Sequence, residues 1–422
     1  MKQVNQVDIS RKEPVNSLFL TALVIGVALM CLKAFVPAAS PYMPSSILSA
    51  LLILIMGGVM LSAGIDKFVN YFITSLLLFL IPILTLISSI VVGDGNSFSN
   101  LVALLMLIVW PIFSSFLLEF RQNKKIVRIS RFLLLYISVL LIITMITTYK
   151  GNLQFPGASR DLAHYETDTS GLLPLYINMN IGGFTFIYTI TLVLPLLAYW
   201  MKINMINRVI GVATFVIAIL CIVSSQYTIA LLMSFISVVI AFLPKRLNRR
   251  HIISIIVVFL IVLVSGPLIG DFFLYLSNTV EGQTMSSRIA EFSQLFSGGG
   301  VDISSDTALR VALISKSWNT FFDNLLLGSR DGLGEHSYLV DNLARFGIFG
   351  LIAIIVSFKQ LYKKYIAHYK NTEIYYYVIA CYMINLVQCY VNTYNGFVCF
   401  TLILPLFIVA FQDKINIQSF KG

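Results

Sequence analysis

Apolar residues in this chain gather into long continuous runs separated by short polar connections. Twelve such runs reach or approach the roughly 20 residues needed to cross about 30 Å of hydrocarbon. They fall at 18–36, 46–65, 70–92, 100–120, 132–148, 183–201, 209–224, 227–244, 252–270, 344–360, 375–391 and 396–412. The pattern predicts an all-α polytopic membrane protein with about 12 transmembrane helices. Two connections are much longer than the rest, 149–182 and 271–343. Loops of that length in a compact protein are functional or disordered, and the composition of these two favours order. The chain therefore divides into a nine-span region, 1–270, which includes the loop 149–182, then a large loop, 271–343, and a three-span region, 344–422.

Helical periodicity continues inside the large loop. In the segment 286–296, Ile289, Phe292 and Phe296 share one helix face behind a serine cap. Further on, Val311, Ile314, Trp318, Phe321, Phe322 and Leu325 recur at helical spacing after SSDT. That apolar face is expected on the membrane surface or against the bundle. SGGG at 297–300 reads as a hinge between the two helices.

Charge sets the orientation. With the N-terminus inside, the predicted inner segments hold 21 of the 29 basic residues and six acids, net +15, which leaves −5 on the outer side. Lys and Arg concentrate on the cytoplasmic side of membrane proteins, so both termini are expected in the cytoplasm. The formal net charge of +10 then reflects topology, and nucleic-acid binding is not expected. A composition of 58% hydrophobic and 11% charged residues, with mean hydropathy +0.87, excludes a soluble domain. The five cysteines fall in or beside predicted spans without metal-binding spacing. The first apolar run is long enough to span and lacks a small-residue exit, so it is expected to stay as an anchor.

Polar chemistry collects at 328–350, GSRDGLGEHSYLVDNLARFGIFG. His336 is placed at or just before the N-terminus of the tenth span, where unpaired N–H groups and the helix dipole favour a neutral imidazole and a bound anion. Five of the eight outer basic residues are arginines: Arg160, Arg288, Arg310, Arg330 and Arg345. Arginine grips phosphate in bidentate fashion. Each also has a local alternative, since Arg310 can pair with Asp306, Arg288 with Glu291 and Arg345 with Asp341 on one helix face. Ser337, Tyr338, Trp318 and Tyr165 are candidate glycan contacts, against an interfacial anchoring role for the aromatics. Glu166 and Asp168 make a weak metal pair, the loop FVPAASPYMP has no acid, and no GxSxG elbow occurs. Neither a metal nor another cofactor is expected.

The pieces SSRIAEF, ALRVALISKSWNTFFDNLLLG and GEHSYLVDNLARFGIFG resemble the bacterial O-antigen polymerase and ligase superfamily. The resemblance implies a metal-independent glycosyltransferase of GT-C type in the bacterial inner membrane, working on its outer face with glycans carried on undecaprenyl diphosphate. It implies His336 as general base and Arg310 on the diphosphate, with a flippase and a chain-length regulator as partners. Relatives often carry an arginine at the start of a middle span, where SSQYTIALL has Gln226. Either another arginine, Arg160 or Arg288, supplies that charge, or the diphosphate is held differently. HSYLVDNLARFG is closer to polymerases than to ligases that move polymer onto a lipid A core. A flippase or transporter is the reading from another class, and the scarcity of mid-membrane ionisable residues argues against it.

Overall fold

The computed structural model describes residues 17–93, 95–162, 171–202, 208–242, 306–370 and 372–413, with isolated positions between 271 and 293. The described residues are helical, without strands. In chain order they form α1 (Ser17–Phe35), α2 (Ser45–Ala63), α3 (Ile65–Leu78), α4 (Leu80–Val92), α5 (Ser97–Glu119), α6 (Lys124–Gln154), α7 (Ala158–Asp161) and α8 (Leu173–Asn178). Then follow α9 (Phe184–Lys202), α10 (Arg208–Ser224), α11 (Thr228–Phe242), α12 (Asp306–Asp323), α13 (Tyr338–Tyr365), α14 (Tyr375–Val391) and α15 (Leu404–Phe411). A helix stands at every predicted run except 252–270, which lies outside the described residues. So do the hinge 297–300 and most of 286–296.

Six helices, α1, α2, α5, α6, α9 and α13, are long and apolar enough to cross a bilayer, and the pair α3–α4 makes a seventh if counted as one span. This is a polytopic helical membrane protein. α9 is central, with 72% of its apolar window buried against 33% for α2, and it packs on α10, α11 and α14. Ile53, Val91, Leu135, Val209 and Ile355 point outward from other helices, as a lipid-facing surface requires.

Sequence runs that read as continuous are broken in the structure. The run 70–92 is two helices meeting at 79°. Pro82 explains the break: it has no N–H to give the carbonyl of Leu78, and its ring would strike that carbonyl. Ahead of α15, Cys399–Ile403 is a π-turn, and Pro405, which cannot donate to Thr401, sits just beyond it. α13 starts at Tyr338, six residues before the predicted run, so it crosses the expected boundary between the large loop and the last three spans. It breaks at Gly347, whose φ of 57° and ψ of −133° are not helical.

The break in α13 has a partner. The amide of Ile348 donates to Leu325 at 2.8 Å, and the carbonyl of Ala344 accepts from Ser329 at 2.8 Å. A straight helix would have paired those two groups with each other. Chain 325–329 has been inserted into the hydrogen-bond ladder instead. A Cβ on Gly347 would lie 2.6 Å from the Leu325 carbonyl oxygen, and one on Gly328 only 2.3 Å from that of Arg345.

Charged groups sit at both ends of the bundle. At one end Lys67 meets Glu119 at 3.1 Å, Arg131 reaches Asp413 at 3.4 Å and Lys202 bonds the Tyr377 hydroxyl at 3.0 Å. These belong to the segments read as inner. The opposite end carries the short elements: a 3-10 turn (Pro37–Tyr42), α7 and α8. Asn180, in left-handed backbone at φ 58°, stitches them down. Its side chain donates to Thr144 at 3.0 Å and accepts from the Ala38 amide at 3.2 Å. All five cysteines are buried and free.

Candidate functional site

His336 is held by its neighbours on both sides. Ser337 caps α13, its Oγ accepting from the Val340 amide at 3.1 Å, while the Asp341 carboxylate accepts from the Ser337 amide at 2.8 Å. This reciprocal arrangement resembles a capping box with the acid one residue later than usual. Ser317 of α12 donates to the other Asp341 oxygen and accepts from the Gly334 amide at 2.8 Å. A side chain at Gly334 would strike the Leu313 carbonyl, 2.0 Å from where its Cβ would be. The loop 334–337 is thus pinned between α12 and α13. His336 Nδ1 lies 3.0 Å from the Glu335 carbonyl. Donation there would fix the proton on Nδ1 and leave Nε2 with its lone pair.

Arg310 comes from α12 and donates from Nη1 to Asn392 Oδ1 at 3.1 Å. The backbone carbonyl of the same asparagine accepts from Tyr338, the first residue of α13, at 2.8 Å. Arg160 sits on α7, a single turn anchored from α6. Asn152 accepts from the Ser159 amide at 3.0 Å and donates to its hydroxyl at 2.9 Å, and Tyr227 donates to the Ser159 carbonyl at 2.8 Å. Lys33, near the end of α1, donates to the Met43 carbonyl.

These groups face one cavity of about 990 Å³. Its wall includes Lys33, Arg160, Arg310, Glu335, His336 and Asn392, with Phe184 and Tyr227 as aromatic surface. Among the described residues three cations and one carboxylate line it, which suits an anionic ligand, and the volume lies at the upper end of small-ligand pockets. The rings are braced. Phe184 packs on Tyr188 at 4.6 Å and Tyr227 at 5.7 Å between centroids, and Tyr188 lies 5.8 Å from Tyr394.

The structure brings His336, Arg310 and Arg160 together and sends other candidates elsewhere. Arg330 donates to the Ser88 hydroxyl on α4 from Nε at 3.1 Å and also from Nη2, and does not line the cavity. Arg345 lies in the first part of α13, also off the cavity wall. Its expected pairing with Asp341 does not form, because that carboxylate is taken by Ser317 and Ser337. Ser337 is fully buried as the cap, and Tyr338 packs against the core, so neither lines the cavity. Trp318 stacks on Phe322 with centroids 5.7 Å apart, again away from the cavity. Arg288, Tyr165, Glu166 and Asp168 lie outside the described residues. Among the described residues no cluster of His, Cys, Asp or Glu is arranged to hold a metal.

Among the wall residues that escaped the sequence reading are Lys33, Glu335, Asn392, Phe184 and Tyr227. Lys33 carried one signal, a cation at the outer end of a span where the inside bias predicts none. Comparison with family models, curated proteins and solved structures gives no match for this chain.

Proposed function

We propose that the protein is a membrane glycosyltransferase that extends a polysaccharide from oligosaccharide units carried on undecaprenyl diphosphate. The observation that carries this reading is the shared cavity, in which one imidazole and two guanidinium groups from three separate elements meet beside aromatic surface. In the reaction, a hydroxyl oxygen of the acceptor sugar attacks the anomeric carbon of the donor. The bond from that carbon to the lipid diphosphate breaks, and the electron pair leaves with the diphosphate. Nε2 of His336 takes the hydroxyl proton. Arg310 and Arg160 stabilise the charge growing on the leaving group, and Lys33 adds to the same field. A positioned general base contributes roughly 10²- to 10⁴-fold.

The family resemblance agrees with this assignment at one informative place. Gln226, which stands where relatives carry an arginine, precedes Tyr227 on the cavity wall, and Arg160 lies on the same wall. This placement supports Arg160 as the residue that supplies the charge Gln226 lacks; Arg288, the other candidate, lies outside the described residues. The reading includes about 12 spans of GT-C type in a bacterial inner membrane, with the cavity on the outer face and with a flippase and a chain-length regulator as partners.

The test is deletion of the gene in its host, followed by electrophoresis of the surface polysaccharide and complementation with His336→Ala. A ladder reduced to a single repeat, not rescued by a variant that still accumulates in the membrane, is the expected result. Loss of core-attached polymer with lipid-linked chains intact would favour a ligase. Glycan uptake by proteoliposomes without bond formation would replace the reading with a transporter.

A further inference from the structure

Asn392 is the C-cap of α14, is 3% exposed, and reaches two elements of the site at once. Its backbone carbonyl accepts from the Tyr338 amide at 2.8 Å, two residues past His336, and its side-chain carbonyl accepts from Arg310 Nη1 at 3.1 Å. Its Nδ2 is buried with no hydrogen-bond partner. From this geometry we infer that Asn392 is a positioning residue, which sets the guanidinium of Arg310 in register with His336 so that Arg310 meets a diphosphate while the imidazole meets the acceptor. The inference rests on the glycosyltransferase reading.

Residue chemistry explains why an amide is used. A carboxylate here would hold Arg310 more firmly, but its charge would cancel that of the guanidinium and repel a phosphate. An alanine would leave the charge and remove the hold. A neutral acceptor holds the arginine without adding a negative charge beside the ligand.

The experiment measures binding of undecaprenyl diphosphate to the full-length protein in lipid nanodiscs, with inorganic diphosphate as competitor, for wild type, Asn392→Ala, Asn392→Asp, Arg310→Ala and the two double variants. Loss of one charge-assisted contact in Asn392→Ala, and neutralisation of the guanidinium in Asn392→Asp, each predict binding weakened about tenfold. In the Arg310→Ala background Asn392→Ala should not weaken binding further, because the residue acts through the arginine, whereas Asn392→Asp there leaves a bare carboxylate that repels the diphosphate directly. Asn392→Asp, which conserves shape, should unfold at or above the wild-type midpoint while binding more weakly. Opposite signs for stability and binding are not expected of a purely structural residue. Binding within twofold of wild type in both variants, or an equal loss for Asn392→Ala with and without Arg310, would overturn the inference and leave the transferase reading standing. No binding by the wild type would remove that reading and this role together.

Discussion

Glu335 stands in left-handed backbone, φ 58°, where a side chain is unfavourable and glycine is not. It lines the cavity as the carboxylate facing three cations, and its carbonyl holds the imidazole of His336. A residue kept in a costly conformation at a site of concentrated charge is retained for its side chain. Glu335→Gly should therefore be more stable than Glu335→Ala by about 1 kcal/mol, the left-handed cost less the entropy that glycine regains on unfolding. Both lack the carboxylate, so their polymer-forming activities should be lowered alike. Chemical unfolding of the two variants in detergent, beside an activity assay, checks this. Activity that followed stability would reduce Glu335 to a backbone role. His336 was legible in the sequence as a lone histidine before a span. Glu335 and Asn392 were not, because what distinguishes them is a backbone angle and a contact with a residue 82 positions away.

Elements were legible as far as they depend on local apolar runs. Breaks within them were not, although each has a local cause in hindsight. Pro82 lies in LIPILTL, where apolar residues on either side hide the interruption, and Gly347 lies in RFGIFG, which reads as ordinary span. The break at Gly347 also needs a partner, the chain 325–329 that takes over the hydrogen bonds of Ala344 and Ile348. Periodicity placed α12 correctly and set its apolar face on a membrane or on the bundle. The structure joins it to α13 through a polar pair, Ser317 and Asp341, and leaves Val311 and Phe322 largely exposed. The break anchors the segment Tyr338–Phe346 that follows His336, so its geometry bears on the site. Gly347→Ala places a Cβ against the Leu325 and Leu326 carbonyls in a backbone region open almost only to glycine. A destabilisation of about 2–4 kcal/mol is expected, from the strained backbone and the steric conflict together. It would be read as a lower unfolding midpoint in detergent, and an unchanged midpoint would mean that α13 can straighten without loss.

At the scale of the molecule, the decisive feature is which end of the bundle holds what. The wall residues of the cavity come from segments that the charge count reads as outer and from the adjoining ends of predicted spans, whereas the Lys67–Glu119 and Arg131–Asp413 pairs come from segments read as inner. A transferase that consumes lipid-linked units on the outer face requires this separation, because its acceptor and donor both arrive there. The arrangement can be probed without knowing the sugar. All five native cysteines are buried, which keeps background labelling by a thiol reagent low. Ser40→Cys places a thiol on the cavity wall, and Lys125→Cys places one at the exposed start of α6. In intact cells a membrane-impermeant maleimide should label Ser40→Cys and should reach Lys125→Cys only after permeabilisation. Prior addition of undecaprenyl diphosphate to purified protein in nanodiscs should slow labelling at position 40, because the ligand would occupy the same cavity. The reverse pattern in cells would place the cavity in the cytoplasm, where lipid-linked units are built and not polymerised, and the proposed reaction would lose its substrate.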